Sequence, residues 1–174
     1  MSKLSPVLVA GLAAVLLLVA PVSAQSAAAN AWLGSWTYAT QPSDVIDRAI
    51  ERGIDDMNFA IKPIARRRLR ATNDPYATVE LRMADGRVTT VLEGRAITSP
   101  ADGSTIDWRR EDGEVLKVAT ALRNGTLVQT FTAEDGLREN VYSVAADGRL
   151  TIQVTIRSDR LPAPIVYRLL YDRA

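Results

Sequence analysis

Two tyrosines near the end of the chain are the residues best placed to take part in ligand chemistry. Tyr167 and Tyr171 alternate with Ile165 and Leu169 in the stretch PIVYRLLYDR, so on a β-strand all four side chains share one face. Two phenols among aliphatic side chains give hydrogen-bonding groups to an apolar surface, which is the usual make-up of a small-molecule pocket. The alternative is that both tyrosines fill a protein core and bond to neighbouring residues.

Two further polar residues are candidates for the same interior. Gln129 alternates with Leu127 and Phe131 in another apolar run. Ser143 alternates with Tyr142, so only one of these two can face an interior, and the sequence does not determine which. Both Gln129 and Ser143 are also explained as interior residues whose hydrogen bonds are satisfied by the protein.

The inventory of side chains excludes several kinds of chemistry. The 174 residues contain no histidine and no cysteine, which excludes a zinc site, a Ser-His-Asp triad and a thiolate nucleophile. We therefore expect no catalytic residues, no metal and no cofactor, and an enzyme that uses tyrosine with Asp or Glu is the remaining catalytic alternative. The formal net charge of +1 argues against nucleic acid as a partner.

The first 24 residues have the pattern of a secretory signal peptide. Lys3 is followed by the apolar run PVLVAGLAAVLLLVA and by Val22-Ser23-Ala24, a cleavage site with small residues. Cleavage there removes Lys3 and leaves 20 basic against 20 acidic residues. We expect a secreted protein, periplasmic if the source is Gram-negative, with one domain over residues 32–174 and an unknown oligomeric state.

The segment 43–70 predicts an amphipathic helix that is bent at Pro63 or broken into two, because isoleucines recur every three or four positions. Its acidic residues come first and its basic residues last, an order that complements the helix dipole in water. The alternative is a docking patch for an anionic membrane. That patch would consist of Arg66, Arg67, Arg68 and Arg70.

From residue 76 onward the pattern is that of an antiparallel β-meander. Six Asx-Gly pairs mark hairpin turns, namely those at residues 85, 102, 112, 124, 135 and 147. The runs between them alternate, as in RLTIQVTIR, and no βαβ crossover is indicated. We predict a mainly β protein with an up-and-down barrel of about 8–10 strands, the helical segment following the first strand. An outer-membrane barrel is the weaker alternative, because outward positions such as Arg82 and Arg168 carry charge.

The stretch WLGSWTY resembles the Gly-x-Trp opening of lipocalins and fatty-acid-binding proteins, the calycin superfamily, through Gly34 and Trp36. The element order and the ending Tyr-Asp-Arg-Ala are similar to the fatty-acid-binding branch. This resemblance implies that Trp36 closes one barrel end beneath an arginine, either Arg173 or Arg168. A guanidinium stacked on indole contributes roughly 0.5–2 kcal/mol.

The same resemblance implies a ligand inside the barrel but not the family's way of holding a fatty-acid carboxylate. Tyr171 falls on the family tyrosine, whereas Leu169 and Ser143 fall where the family has its two arginines. We therefore expect a small hydrophobic ligand that is neutral or differently anchored, since an unpaired buried anion is costly. The predicted ligand-binding residues are Tyr167, Leu169, Tyr171, Gln129 and Ser143. A non-catalytic envelope protein with a filled barrel is the alternative function.

Overall fold

The structure is a computed structural model that describes residues 30–39 and 44–174. The predicted signal peptide, residues 1–24, lies outside the described residues. Ten strands are present: β1 (Gly34–Tyr38), β2 (Thr78–Ala84), β3 (Arg87–Leu92), β4 (Arg95–Pro100), β5 (Asp102–Arg109), β6 (Val115–Arg123), β7 (Thr126–Thr132), β8 (Leu137–Val144), β9 (Leu150–Arg157) and β10 (Ile165–Arg173). Two helices, α1 (Val45–Gly53) and α2 (Lys62–Ala71), lie between β1 and β2.

The strands form one antiparallel sheet that curls into a nearly closed barrel. Each strand from β2 to β10 pairs with its neighbour in sequence except for β4 with β5, and β1 joins β2 to β10. The prediction of a mainly β, antiparallel barrel of about 8–10 strands is confirmed. The Asx-Gly pairs at Asp85 and Asn124 form hairpin turns as expected, and both residues have φ near +50°, which their short polar side chains tolerate. The hairpin turn predicted at Asp102 is wrong, because Asp102 and Gly103 begin β5, where a bulge shifts the register with β6.

Side chains close the seam between β4 and β5, which are the two ends of the sheet order. The hydroxyl of Ser99 donates a buried hydrogen bond of 2.6 Å to the hydroxyl oxygen of Thr120 on β6. Nearer the helices, the guanidinium of Arg95 on β4 lies 4.9 Å from the ring centroid of Trp108 on β5. These side-chain contacts hold the two ends of the sheet together, as backbone hydrogen bonds hold the strands together elsewhere in the barrel.

The helical segment is broken, and the break comes before Pro63. The turn over residues 54–61 separates α1 from α2, and Pro63 occupies the first turn of α2, where the missing N–H is not needed. At the end of α1, a Cβ added to Gly53 would lie 2.4 Å from Cγ1 of Ile165, so only glycine lets α1 approach β10 this closely. Among the described residues, neither helix is long and apolar enough to span a membrane.

The sorted charges of this segment pair the two helices with each other. Three interhelical ion pairs form, Asp47 with Arg70 at 2.7 Å, Glu51 with Arg66 at 2.7 Å and Asp55 with Lys62 at 2.9 Å. In each pair the two residue numbers have the same sum, which is the signature of an antiparallel hairpin. The hydrogen bond from Arg66 lowers the pKa of Glu51, and the one from Lys62 lowers the pKa of Asp55.

Candidate ligand-binding cavity

A cavity of about 740 Å³ lies between α2 and the half of the barrel nearest the helices. We call this end the mouth; the β3–β4, β5–β6, β7–β8 and β9–β10 turns surround it. The apolar part of the lining includes Met57, Leu69, Trp108, Leu116, Phe131 and Ile156. Its volume falls within the range of roughly 300–1,000 Å³ that small-molecule sites occupy.

The opposite end of the barrel is closed by Trp36, whose side chain is fully buried. Its indole N–H donates to the backbone oxygen of Trp32 at 2.9 Å, and the guanidinium of Arg173 lies 4.5 Å from its ring centroid. Of the two arginines considered from the sequence, Arg173 is therefore the partner. Gly34 has φ +126°, and a Cβ there would lie 3.0 Å from the Arg173 guanidinium, so a side chain would disturb this stack.

The half of the barrel above Trp36 is packed with side chains. Tyr171, Tyr142 and Leu169 are buried, and the rings of Tyr171 and Tyr38 meet edge to face with centroids 5.5 Å apart. Burial raises the pKa of Tyr142 to about 12 and also raises the pKa of Tyr171. Within the described part of the chain, the Tyr171 hydroxyl has no hydrogen-bond partner.

The residues predicted to bind a ligand do not line the large cavity. Tyr167, Leu169, Tyr171 and Gln129 do point inward, as their alternation indicated, but they form the packed interior. The Tyr142 and Ser143 pair is resolved by the strand register, because Tyr142 lies opposite buried Ile152 and Leu127. Ser143 is therefore on the outer face and cannot contact a ligand in the cavity.

A relay of hydrogen-bonded side chains crosses the barrel between the packed half and the cavity. In order, it runs through Ser99, Thr120, Gln129, Tyr142, Asn140, Arg138, Asn73 and Tyr167. Its bonds measure between 2.6 and 3.4 Å. Because buried polar groups are costly without partners, this relay accounts for most of the polar side chains inside the barrel.

Arg138 is the charged residue of this relay, and it is among the relay residues that the sequence analysis did not identify. Its register partners are Phe131 and Ile156, both of which line the cavity, so Arg138 extends from the inner face of β8. Its Nε donates to Oδ1 of Asn140 at 3.0 Å, and its Nη1 donates to Oδ1 of Asn73 at 3.4 Å. Both partners are neutral amides, so neither of them balances the positive charge of the Arg138 guanidinium.

Asn73 fixes the position of Arg138 relative to α2. Its Nδ2 donates to the backbone oxygen of Leu69 at 2.7 Å, which caps the end of α2. Its Oδ1 also accepts a bond from the Tyr167 hydroxyl at 3.0 Å. The Asn73 side chain is thus shared among α2, β8 and β10, and it is 4% exposed.

Two arginines at the rim of the cavity, Arg95 and Arg110, differ from Arg138 because carboxylates neutralise them, whereas Arg157 at the rim is exposed to water and has no ion pair with a described residue. Arg110 pairs with Asp112 and with Glu114, and these interactions raise the pKa of Arg110 and lower that of Asp112. Arg95 pairs with Glu111 at 3.3 Å. By contrast, none of the ion pairs between described residues includes Arg138.

No group of His, Cys, Asp and Glu side chains in residues 30–39 and 44–174 is arranged to hold a metal ion. No protein-family model matches the sequence, and no curated protein matches it. Solved structures do match it in fold, and three of them are described next.

Secretory abundant heat soluble protein 4 from Ramazzottius varieornatus superposes with a TM-score of 0.53 and 13% sequence identity, covering 83% of this chain and 96% of that one. For zebrafish ileal bile acid-binding protein complexed with cholic acid, the TM-score is 0.52 and the sequence identity is 13%, over 83% of this chain and 99% of that one. For lipid binding protein 8 from Caenorhabditis elegans, the TM-score is 0.50 and the sequence identity is 9%, over 83% of this chain and 96% of that one. At these identities the similarity is one of fold. The described part of the chain therefore has a lipocalin-like and fatty-acid-binding-protein-like fold.

Proposed function

We propose that this protein binds a small hydrophobic molecule with a negatively charged head group in the cavity beneath α2. The observation that carries the proposal is Arg138, a half-buried cation on the inner face of β8 between the apolar residues Phe131 and Ile156, which forms no ion pair with a described carboxylate. Its two partners are neutral, so a bound anion would add charge-assisted hydrogen bonds that the protein itself does not supply. Of the two ligands expected from the sequence, neutral or differently anchored, Arg138 favours the second, because it offers an anion a cation at a position other than those of the family's two arginines.

Arg138 has the geometry to bind an anionic head group. Two of its N–H groups are held by Asn140 and Asn73, which fixes the plane of the guanidinium. No residue in 30–39 or 44–174 accepts a hydrogen bond from the remaining N–H groups, which can donate to a carboxylate, sulfonate or phosphate oxygen, and such charge-assisted bonds are stronger than neutral ones.

The apolar wall of the cavity would hold the rest of the ligand. Trp108 and Phe131 meet edge to face with centroids 6.3 Å apart, and Leu116 and Ile156 line the same space. Each methylene group moved from water to such a surface contributes about 0.8 kcal/mol. Most of the affinity would thus come from the apolar tail of the ligand. Among ligands whose tails are of equal size, the head group would determine which one binds more tightly.

Binding is a better description of this site than catalysis. Asp112 at the rim has its pKa lowered by Arg110, which suits an ion pair and not a general acid. The filled-barrel alternative describes the half of the barrel next to Trp36, but the open volume beneath α2 favours a ligand.

We further propose that the protein acts outside the cytoplasm, since residues 1–24 have the pattern of an export signal. N-terminal sequencing of the protein purified from its source should then begin at Gln25. A chain that begins at Met1 and remains with the cytosolic fraction would contradict this part of the proposal.

The binding proposal is tested with 1-anilinonaphthalene-8-sulfonate, a probe that combines apolar rings with an anionic group. We expect the probe to bind the mature chain with an increase in its fluorescence, and to be displaced by long-chain carboxylates more strongly than by the corresponding alcohols. Trp108 lies in the cavity wall, so its emission should shift on binding, and Trp108→Phe should remove that shift. Probe binding that is absent, or equal displacement by acids and alcohols, would contradict the proposal.

A further inference from the structure

The hydrogen bonds that lead from Arg138 into the packed half of the barrel all run in one direction. Nε of Arg138 donates to Oδ1 of Asn140 at 3.0 Å, and Nδ2 of Asn140 donates to the Tyr142 hydroxyl at 3.2 Å. That hydroxyl donates to Oε1 of Gln129 at 3.2 Å, and Nε2 of Gln129 donates to the Thr120 hydroxyl at 3.3 Å. Each intermediate group therefore accepts on the side of Arg138 and donates on the side away from it.

The direction of these bonds follows from the chemistry of the guanidinium. A guanidinium donates hydrogen bonds and does not accept them, so Asn140 must present its side-chain oxygen to Arg138. An amide turned the other way would place two N–H donors against each other. With its oxygen turned toward Arg138, Asn140 faces Tyr142 with its NH2 group, and the single hydroxyl hydrogen of Tyr142 is then left for Gln129. The guanidinium thus sets the orientation of each buried group in turn.

The same bonds hold Arg138 in place. Asn140 is 2% exposed, and Tyr142 and Gln129 are fully buried, so water cannot replace a partner that any of them loses. If the guanidinium turned away, the side-chain oxygen of Asn140 would be left without its donor. Burial raises the pKa of Tyr142 to about 12, so its hydroxyl keeps its proton and the bonds keep their direction at neutral pH.

A ligand in the cavity can contact the beginning of this relay but not its interior. Arg138 and Asn140 line the cavity, whereas Tyr142 and Gln129 do not. The N–H groups of Arg138 that remain for an anion lie in the same plane as the Nε–H that Asn140 holds. Any loosening of the Asn140 side chain would therefore change the direction in which those donors point.

We propose that Tyr142 and Gln129 are positioning residues that set the preference of the site for anionic head groups without touching the ligand. This inference rests on the proposed binding of an anionic amphiphile, and it assigns a role in binding to side chains of the packed half of the barrel. Without Tyr142 or Gln129, Arg138 would keep its charge but lose the fixed direction of its donors. Affinity for an anion should then fall, while affinity for an uncharged ligand stays the same.

The test is Tyr142→Phe, which removes one hydroxyl from the middle of the relay and leaves the ring in place. A buried neutral hydrogen bond corresponds to a change of about two- to tenfold in an equilibrium constant. We expect the preference for a long-chain carboxylate over the matching alcohol to fall by that factor, with the affinity for the alcohol unchanged. The measurement is displacement of 1-anilinonaphthalene-8-sulfonate, corrected for the affinity of each variant for the probe. Gln129→Met removes the next link and should lower the preference in the same direction.

Two control variants separate positioning from packing. Tyr171→Phe removes the hydroxyl of another buried tyrosine, one that has no hydrogen-bond partner among the described residues, and it should leave the preference unchanged. Ser99→Ala should also leave it unchanged. The reason is that the Thr120 hydroxyl oxygen accepts from both Ser99 and Gln129, so the bonds that run from Arg138 end there.

A double-mutant cycle links the effect of Tyr142 to Arg138. In an Arg138→Met background, Tyr142→Phe should not change the carboxylate preference any further, because no guanidinium is left to position. The Nε–H of Arg138 gives a second readout by NMR. Its exchange with water should be slow in the parent and faster in Tyr142→Phe.

Three results with a folded Tyr142→Phe variant would overturn the inference. An unchanged preference would show that Asn140 and Asn73 hold Arg138 without the rest of the relay. A preference that rises would show that the relay competes with the ligand for Arg138. An equal loss of affinity for the carboxylate and the alcohol would assign Tyr142 to packing alone.

Failure of the proposed function would be recognised in the parent chain. A parent that does not distinguish the carboxylate from the alcohol refutes anion binding, and the positioning role with it. A parent that does distinguish them, beside a Tyr142→Phe variant that does so equally well, refutes the positioning role alone.

Discussion

Replacing Arg138 by methionine tests the central element of the proposed site. Methionine retains the length and apolar stem of arginine but removes the charge and all the N–H donors. Hydrogen bonds that involve a charged group contribute about 1.5–3 kcal/mol, and each 1.4 kcal/mol corresponds to tenfold in the dissociation constant. We expect Arg138→Met to weaken binding of an anionic amphiphile about 10- to 100-fold, while its uncharged analogue binds as it does to the parent.

A second variant removes the free charge without removing the arginine. Oδ1 of Asn73 lies 3.4 Å from Nη1 of Arg138, so Asn73→Asp places a carboxylate beside the guanidinium. This internal ion pair should compete with the ligand's head group and weaken anion binding as Arg138→Met does. Arg138→Lys keeps a positive charge but lacks the planar guanidinium. It should therefore bind the anionic ligand more tightly than Arg138→Met does, but less tightly than the parent.

The assay is probe displacement by a carboxylate and by the matching alcohol, with each variant's thermal unfolding measured alongside. Arg157→Met serves as the control for a cavity-lining arginine, because Arg157 is exposed at the rim. The reasoning is refuted if Arg138→Met and Asn73→Asp, both folded, still prefer the carboxylate by the same factor as the parent.

Other predictions concern the fold that positions the site. Trp36→Ala should lower stability by about 3–5 kcal/mol, seen as a fall of roughly 10 °C in Tm, whereas an unchanged Tm would show that Trp36 does not close the barrel. Gly53→Ala should push α1 away from Ile165 and raise the protease sensitivity of the hairpin, and equal cleavage rates would contradict this. Folding lowers the pKa values of Glu51 and Asp55 from their ordinary 4.5 and 3.8, so the contribution of these pairs is complete above about pH 4.5 and is lost as the pH falls through the lowered pKa values. Circular dichroism from pH 7 to 3 should show this loss, and Glu51→Gln should reduce its amplitude; a signal independent of pH would argue against the interhelical pairs.

The strand pattern was largely predictable because it depends on local rules. Asx-Gly turns and two-residue alternation are written in neighbouring residues, and nearly all the strands follow from them. β4 was missed because its turn uses Glu93, with φ +50°, in place of Asp or Asn. Glutamate rarely occupies that conformation, so no turn signal separated β3 from β4.

The candidate site was less predictable, because it depends on how strands are placed across the barrel. Once Tyr142 is known to face inward, Arg138 and Asn140 follow by alternation. The sequence alone left Tyr142 and Ser143 equivalent, and so left Arg138 undecided. The helix pairing has a similar origin: opposite charges at the two ends of one segment fit a single dipole-matched helix as well as a hairpin, and only the turn over residues 54–61 distinguishes them.

The seam between β4 and β5 affects how the barrel can accommodate ligands of different width. A barrel closed all round by backbone ladders has a fixed circumference, because widening it means breaking a whole row of bonds. Here the Ser99–Thr120 contact and the stacking of Arg95 on Trp108 hold the last join. Such side-chain contacts can be exchanged one at a time. The circumference of the barrel can therefore change while the backbone hydrogen bonds between the paired strands stay intact.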